Sequence, residues 1–91
     1  MKQVSYTITD QNGIHARPAG LIVKTARMYQ SDITIEMKTP SGERKRADAK
    51  KLFAVMGLGA AMGAEITVSA VGDDENEAVS ALADAMKSAG L

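Results

Sequence analysis

The sequence predicts an α+β open-faced sandwich, a four-stranded antiparallel sheet with three helices on one face in the order β-α-β-β-α-β-α. Three observations carry this reading. Three segments alternate apolar and polar residues with the period of a half-buried strand, and three others space their apolar residues as one helical stripe. Glycine, proline, asparagine or aspartate separates most of them.

The first strand is read from Val4, Tyr6 and Ile8, which alternate with Ser5, Thr7 and Thr9. Asp10, Asn12 and Gly13 end it. From Ala16 the spacing changes to Ala19, Ile22, Val23, Ala26 and Tyr29, the stripe of a first helix. Ile33, Ile35 and Met37 give a second strand, and Pro40-Ser41-Gly42 reads as a turn. The polar run from Glu43 to Ala47 is then a third strand at a sheet edge, where charge guards against edge-to-edge pairing. Asp48 is expected to cap a short second helix through Leu52, Phe53, Val55 and Met56, which Gly57, Gly59 and Gly63 end. Ile66, Val68 and Ala70 form the last strand, up to Gly72. Asp73, Asp74 and Glu75 favour the start of a third helix, whose apolar face is Ala78, Val79, Leu82, Ala85, Met86 and Ala89.

At 91 residues the chain can bury one core, read as a single domain over 1–91 with no repeat or linker. It has no cysteine, which excludes disulfides, thiolate metal sites and cysteine nucleophiles. The polar start and the lack of a long apolar run argue against a signal peptide or membrane insertion, so a cytoplasmic location is expected. Formal net charge is zero, yet residues 1–63 carry 10 cations and 5 anions while residues 64–91 carry 1 and 6. The basic part can steer an acidic partner. Tyr6, Tyr29 and Phe53 are the only aromatic residues, a poor platform for nucleic acid despite the cations from Arg44 to Lys51. Gly57-Leu58-Gly59-Ala60-Ala61-Met62-Gly63 loosely matches a dinucleotide fingerprint, but it follows a helix and leads into a strand, the reverse of the required context, and is read as a loop.

His15 is the only histidine. Pro18 is tolerated in a first helical turn, where amides lack intrahelical acceptors, so it places the helix start beside His15. The free amides of Ala16 and Arg17 and the positive end of the helix dipole then form an anion site next to the imidazole. A neutral imidazole nitrogen is a nucleophile. Once it carried phosphate, the same amides and the Arg17 guanidinium would hold the new charge by charge-assisted hydrogen bonds. No second histidine, carboxylate pair or glycine-rich nucleotide cradle accompanies it, so a partner must load the site. No metal and no organic cofactor is implied. The bland alternative is an idle surface or core histidine.

Gly13-Ile14-His15-Ala16-Arg17-Pro18-Ala19 resembles the active-site motif of the histidine-containing phosphocarrier proteins, HPr, of the bacterial phosphoenolpyruvate-dependent sugar phosphotransferase system. The likeness continues through Ala49-Lys50-Lys51-Leu52-Phe53, Leu58-Gly59, Gly63-Ala64-Glu65-Ile66-Thr67 and the acidic start of the third helix, over essentially the whole chain. It implies a carrier rather than an autonomous enzyme: His15 accepts phosphate on Nδ1 from phosphorylated enzyme I and donates it to a histidine of enzyme IIA, with Arg17 as the phosphate partner. The positions matching the family's docking face are Arg17, Lys24, Arg27, Lys50, Leu52, Phe53 and Met56, joined here by Lys51. For Phe53 the alternative is core packing. Enzyme I, enzyme IIA and regulatory proteins are the implied partners, and the carrier is expected to be a monomer. A regulatory module of carbon or nitrogen metabolism using the same face is the alternative function.

One departure bears on regulation. Members from low-GC Gram-positive bacteria carry a kinase-targeted serine where Lys51 stands here, so the serine-linked form of control lacks its hydroxyl. Lys51 instead adds positive charge at a helix N-terminus, unfavourable by a few tenths of about 1 kcal/mol, and is expected to strengthen attraction to enzyme I.

Overall fold

Strand β1 (Lys2–Thr7) leads through a loop into helix α1 (Ala16–Ala26), and β2 (Asp32–Lys38) and β3 (Arg44–Asp48) follow. Helix α2 (Leu52–Gly57), β4 (Glu65–Val71) and α3 (Glu75–Ser88) complete the order in the computed structural model, which describes residues 1–39 and 41–91. The four strands form one antiparallel sheet in the order β1-β4-β2-β3. The expected α+β sandwich is therefore the observed one.

The central strands explain the single core. Ile33, Ile35 and Met37 of β2 and Ile66, Val68 and Ala70 of β4 alternate inward and are buried, with Ile35 opposite Val68. Helix α1 lays Ala19, Ile22, Val23 and Ala26 on this face and α3 adds Ala78, Val79, Leu82 and Met86. The polar run is indeed an edge strand: Ala47 alone of β3 is buried, and Arg44 and Arg46 flank Glu36 of β2 at 3.2 and 3.6 Å. Such exposed pairs contribute little stability; they keep the edge charged.

Two local expectations need correction. Tyr29 does not belong to α1, which ends at Ala26 with Arg27 as its C-cap. Asp74 captures the Gln30 amide at 2.8 Å and the Ser31 amide at 3.0 Å, so the chain turns toward β2 before another helical turn can form. Tyr29 still packs half-buried against the core. Asp48 does not cap α2 either. It closes β3, and its carboxylate accepts the Lys50 amide at 2.9 Å, a local turn; the N-cap of α2 is Lys51. The turn expected at Pro40-Ser41-Gly42 includes Pro40, which lies outside the described residues; Gly42 donates to the Thr39 carbonyl at 2.9 Å.

Candidate phosphate-accepting site

The loop from Thr9 to Ile14 is seated on the segment between α2 and β4. Ile8 donates to the Ala64 carbonyl and Ile14 to the Ala60 carbonyl, both at 2.9 Å, while Gly63 donates to the Ile8 carbonyl at 2.7 Å. At the far end of the chain, the Leu91 carbonyl accepts the Thr9 hydroxyl at 2.7 Å, and the Leu91 side chain is buried. Gly13 lies against this seat with φ 63°, and a Cβ there would stand 2.1 Å from the Ala60 carbonyl oxygen. Only glycine combines that conformation with that approach.

His15 emerges from this seat as the N-cap residue of α1, with extended backbone. Its ring makes no capping hydrogen bond, and its side chain is 42% exposed, so the imidazole is neither sealed nor used to close the helix. The His15 carbonyl accepts the first intrahelical bond, from Ala19 at 2.9 Å. Among the described residues no acceptor meets the amides of Ala16 or Arg17, and the first turn of α1 contains no acidic residue. Pro18 is buried and has no amide to offer, so two free N–H groups stand beside the ring. An anion placed there would meet both and the positive end of the helix dipole. Arg17 is exposed and has no ion-pair partner among the described residues.

Asp10 is a site neighbour that sequence reasoning treated only as a turn former. Its Oδ2 lies 3.6 Å from His15 Nε2, and its Oδ1 accepts the Asn12 amide at 2.9 Å. The Ala60–Ala64 seat was also missed, since its signal was a glycine-rich loop. That loop acts as a support, consistent with the rejection of a dinucleotide site. Among the described residues no group of three or more His, Asp or Glu side chains is placed to hold a metal ion, and no helix is long and apolar enough to cross a membrane.

The residues expected on a docking face fall on α1 and α2 and the turn before α2. Lys24, Arg27, Lys51 and Phe53 are exposed, while Leu52 and Met56 are half-buried. Phe53 is 82% exposed, so core packing does not explain it. A groove of about 390 Å³ between the two helices is lined by Gly20, Val23, Lys24, Arg27 and Leu52. Two of the basic side chains also hold the molecule together: Arg27 Nε donates to the Lys50 carbonyl at 2.9 Å and Lys50 Nζ to the Tyr29 carbonyl at 2.8 Å. Lys50 is thus half-buried and has one ammonium proton committed internally.

Comparison with known proteins shows the family of the chain. The family model described as the PTS HPr component phosphorylation site matches residues 2–88. A histidine-containing phosphocarrier protein of Mycoplasma is 35% identical over 97% of this chain and 96% of that one, with a TM-score of 0.88. HPr of Thermoanaerobacter tengcongensis is 38% identical over 98% and 94%, with a TM-score of 0.82. Crh of Bacillus subtilis, a catabolite repression protein solved as a domain-swapped dimer, is 31% identical over 98% and 97%, with a TM-score of 0.68. A nearly full-length family match, together with a histidine at the helix N-cap in the Gly-Ile-His-Ala-Arg-Pro context, places this chain in the HPr family of phosphotransferase-system phosphocarriers, which carry phosphate rather than catalyse its turnover.

Proposed function

We propose that this protein relays a phosphoryl group from phosphorylated enzyme I, ultimately from phosphoenolpyruvate, to a histidine of sugar-specific enzyme IIA through a phosphohistidine at His15 Nδ1. The single observation that carries this reading is the half-exposed imidazole at an acid-free helix start, beside two amides that meet no acceptor among the described residues. The Nδ1 lone pair attacks phosphorus, and the phosphorus–nitrogen bond to the donor breaks. The Ala16 and Arg17 amides and the Arg17 guanidinium take up the phosphoryl oxygens. The reverse geometry returns the group to the next histidine.

The docking face is formed by Arg17, Lys24, Arg27, Lys51, Leu52, Phe53 and Met56, with Lys50 contributing from its tethered position. Basic residues around an exposed aromatic ring suit an acidic partner with an apolar centre. A carrier must leave each partner, so the contact is small and short-lived and the working form is a cytoplasmic monomer. The likeness to Crh supports a second reading, a regulatory module that uses the same face.

Incubation with enzyme I and labelled phosphoenolpyruvate tests both. An acid-labile label, absent from His15→Ala and passed on to enzyme IIA, is the expected result. Label that stays on the protein favours the regulatory module, and no label overturns the relay.

A further inference from the structure

An imidazole has two nitrogens, and only the one without a proton can attack phosphorus. At His15 they are unlike. Nε2 faces Asp10 Oδ2 at 3.6 Å, the only approach of a carboxylate within 4.0 Å of this ring among the described residues, and neither nitrogen is taken up by the amides of the helix. Asp10 is itself held still. Its Oδ1 accepts the Asn12 amide at 2.9 Å, its carbonyl accepts the Gly13 amide at 3.0 Å, and its side chain is 23% exposed. The second carboxylate oxygen is therefore aimed at the ring by a local turn rather than by chance contact of two mobile side chains.

We propose that Asp10 is a positioning residue that keeps the proton of the neutral His15 ring on Nε2 and so leaves the lone pair on Nδ1. This rests on the relay proposed above. A separation of 3.6 Å is longer than a hydrogen bond, and a shift of a few tenths of an ångström closes it. A carboxylate can only accept a proton bond, so Nε2–H is the ring form that it favours. In the transfer, the Nδ1 lone pair attacks the phosphorus of the phosphohistidine donor, and the electron pair of the broken bond returns to the donor ring. The proton on Nε2 stays in place. His15 then carries a positive ring, whose charge the Asp10 carboxylate offsets on one side while Arg17 and the free amides serve the phosphoryl oxygens.

Asp10→Asn separates this role from that of the turn. The amide oxygen can still accept from Asn12, but an NH2 group replaces the oxygen facing Nε2. That group donates, and so favours the opposite ring form, with the proton on Nδ1. The measurements are ¹⁵N NMR of the His15 ring in the unphosphorylated protein and the initial rate of labelling by enzyme I. The wild type is expected to be chiefly Nε2–H. Asp10→Asn is expected to gain Nδ1–H and to accept phosphate at least tenfold more slowly, and Asp10→Glu to recover part of both. A wild-type ring that is chiefly Nδ1–H overturns the proposal, as does an Asp10→Asn ring with the wild-type proton distribution, even if labelling slows, since a loosened loop alone would slow it. The wild-type spectrum needs no variant to fold. Absence of label on a wild type whose ring is Nε2–H overturns the relay instead.

Discussion

Helices α1 and α3 start on the same kind of scaffold and carry opposite electrostatics. In each, a glycine two residues before the N-cap lies against a neighbouring segment: a Cβ on Gly13 would meet the Ala60 carbonyl oxygen at 2.1 Å, and one on Gly72 would meet Ser31 Oγ at 2.6 Å. At α3 acids of the chain itself stand at the helix start, although none of them caps it with a side-chain hydrogen bond. Asp74 accepts the amides of Gln30 and Ser31 and the Ser31 hydroxyl, Glu75 accepts the Gly72 amide at 3.2 Å, and Glu77 adds a third carboxylate in the first turn. The Ser31 hydroxyl and then the Gln30 amide hold the Asp74 carboxyl below the usual range, and the Gly72 amide does the same for Glu75. At α1 there is no acid in the first turn, and among the described residues the Ala16 and Arg17 amides meet no acceptor. One helix start carries the chain's own negative charge, and the other is left for an anion from outside.

The comparison breaks most severely if the α1 scaffold is removed. Gly13→Ala forces a side chain into both a left-handed conformation and a backbone oxygen, and is expected to cost about 2 to 4 kcal/mol in a denaturant titration, with loss of labelling. A variant as stable as the wild type would show that the seat on Ala60 is dispensable.

A subtler break gives α1 the first-turn acid that α3 carries. Ala16→Glu puts an acid in the first turn, which should stabilise the helix by roughly 0.3 to 1 kcal/mol through the dipole. The same carboxylate competes for the free amides and repels the incoming phosphoryl group, so labelling by enzyme I should slow about tenfold or more, about 1.4 kcal/mol in the barrier. Rising thermal stability with falling acceptance is the signature. Unchanged acceptance would mean that the α1 amides take no part.

Neutralising an acid at the start of α3 sharpens the contrast in another variable. A carboxyl whose folded value is depressed stabilises the protein fully above its unfolded value and ceases to do so as pH falls through the folded one. Melting temperature should therefore fall on acidification below about pH 5, and Asp74→Asn should flatten that fall while lowering the melting temperature at neutral pH. Labelling at neutral pH should hardly change, because Asp74 serves the turn into β2 and not the His15 loop.

The smallest effect is expected at the third helix start, where Lys51 caps α2 with no side-chain bond and is exposed. Lys51→Ser should make the rate of labelling by enzyme I less steeply dependent on salt, by about the share of one exposed charge. Equal slopes would remove Lys51 from the docking face.

Much of this was legible along the chain. Alternation at Ile33, Ile35 and Met37, the helical stripe from Ala19 to Ala26, and Pro18 beside His15 are all patterns over a few residues, and the burial and the N-cap position follow them. Where reading failed, the cause lay farther away. Tyr29 continues the α1 stripe in sequence, but a carboxylate 45 positions later, on Asp74, turns the chain before it. Asp48 has a cap's chemistry, yet spends it on the nearer Lys50 amide. Phe53 and Val55 are both apolar on one short helix, and only packing decides that the first is exposed and the second buried.

The sequence by itself determined the order of elements, the charged edge strand, and a single histidine at the start of an acid-free helix, because strand alternation, helical spacing and the proline constraint act over one or two turns of backbone. Tertiary structure alone decided that Ala60 to Ala64 support the histidine loop, that Lys50 is tied to the Tyr29 carbonyl, and that Asp10 Oδ2 comes to 3.6 Å from His15 Nε2. Those contacts depend on where a loop lands in space and on ångström-scale approach of atoms, which no local pattern of residue types encodes.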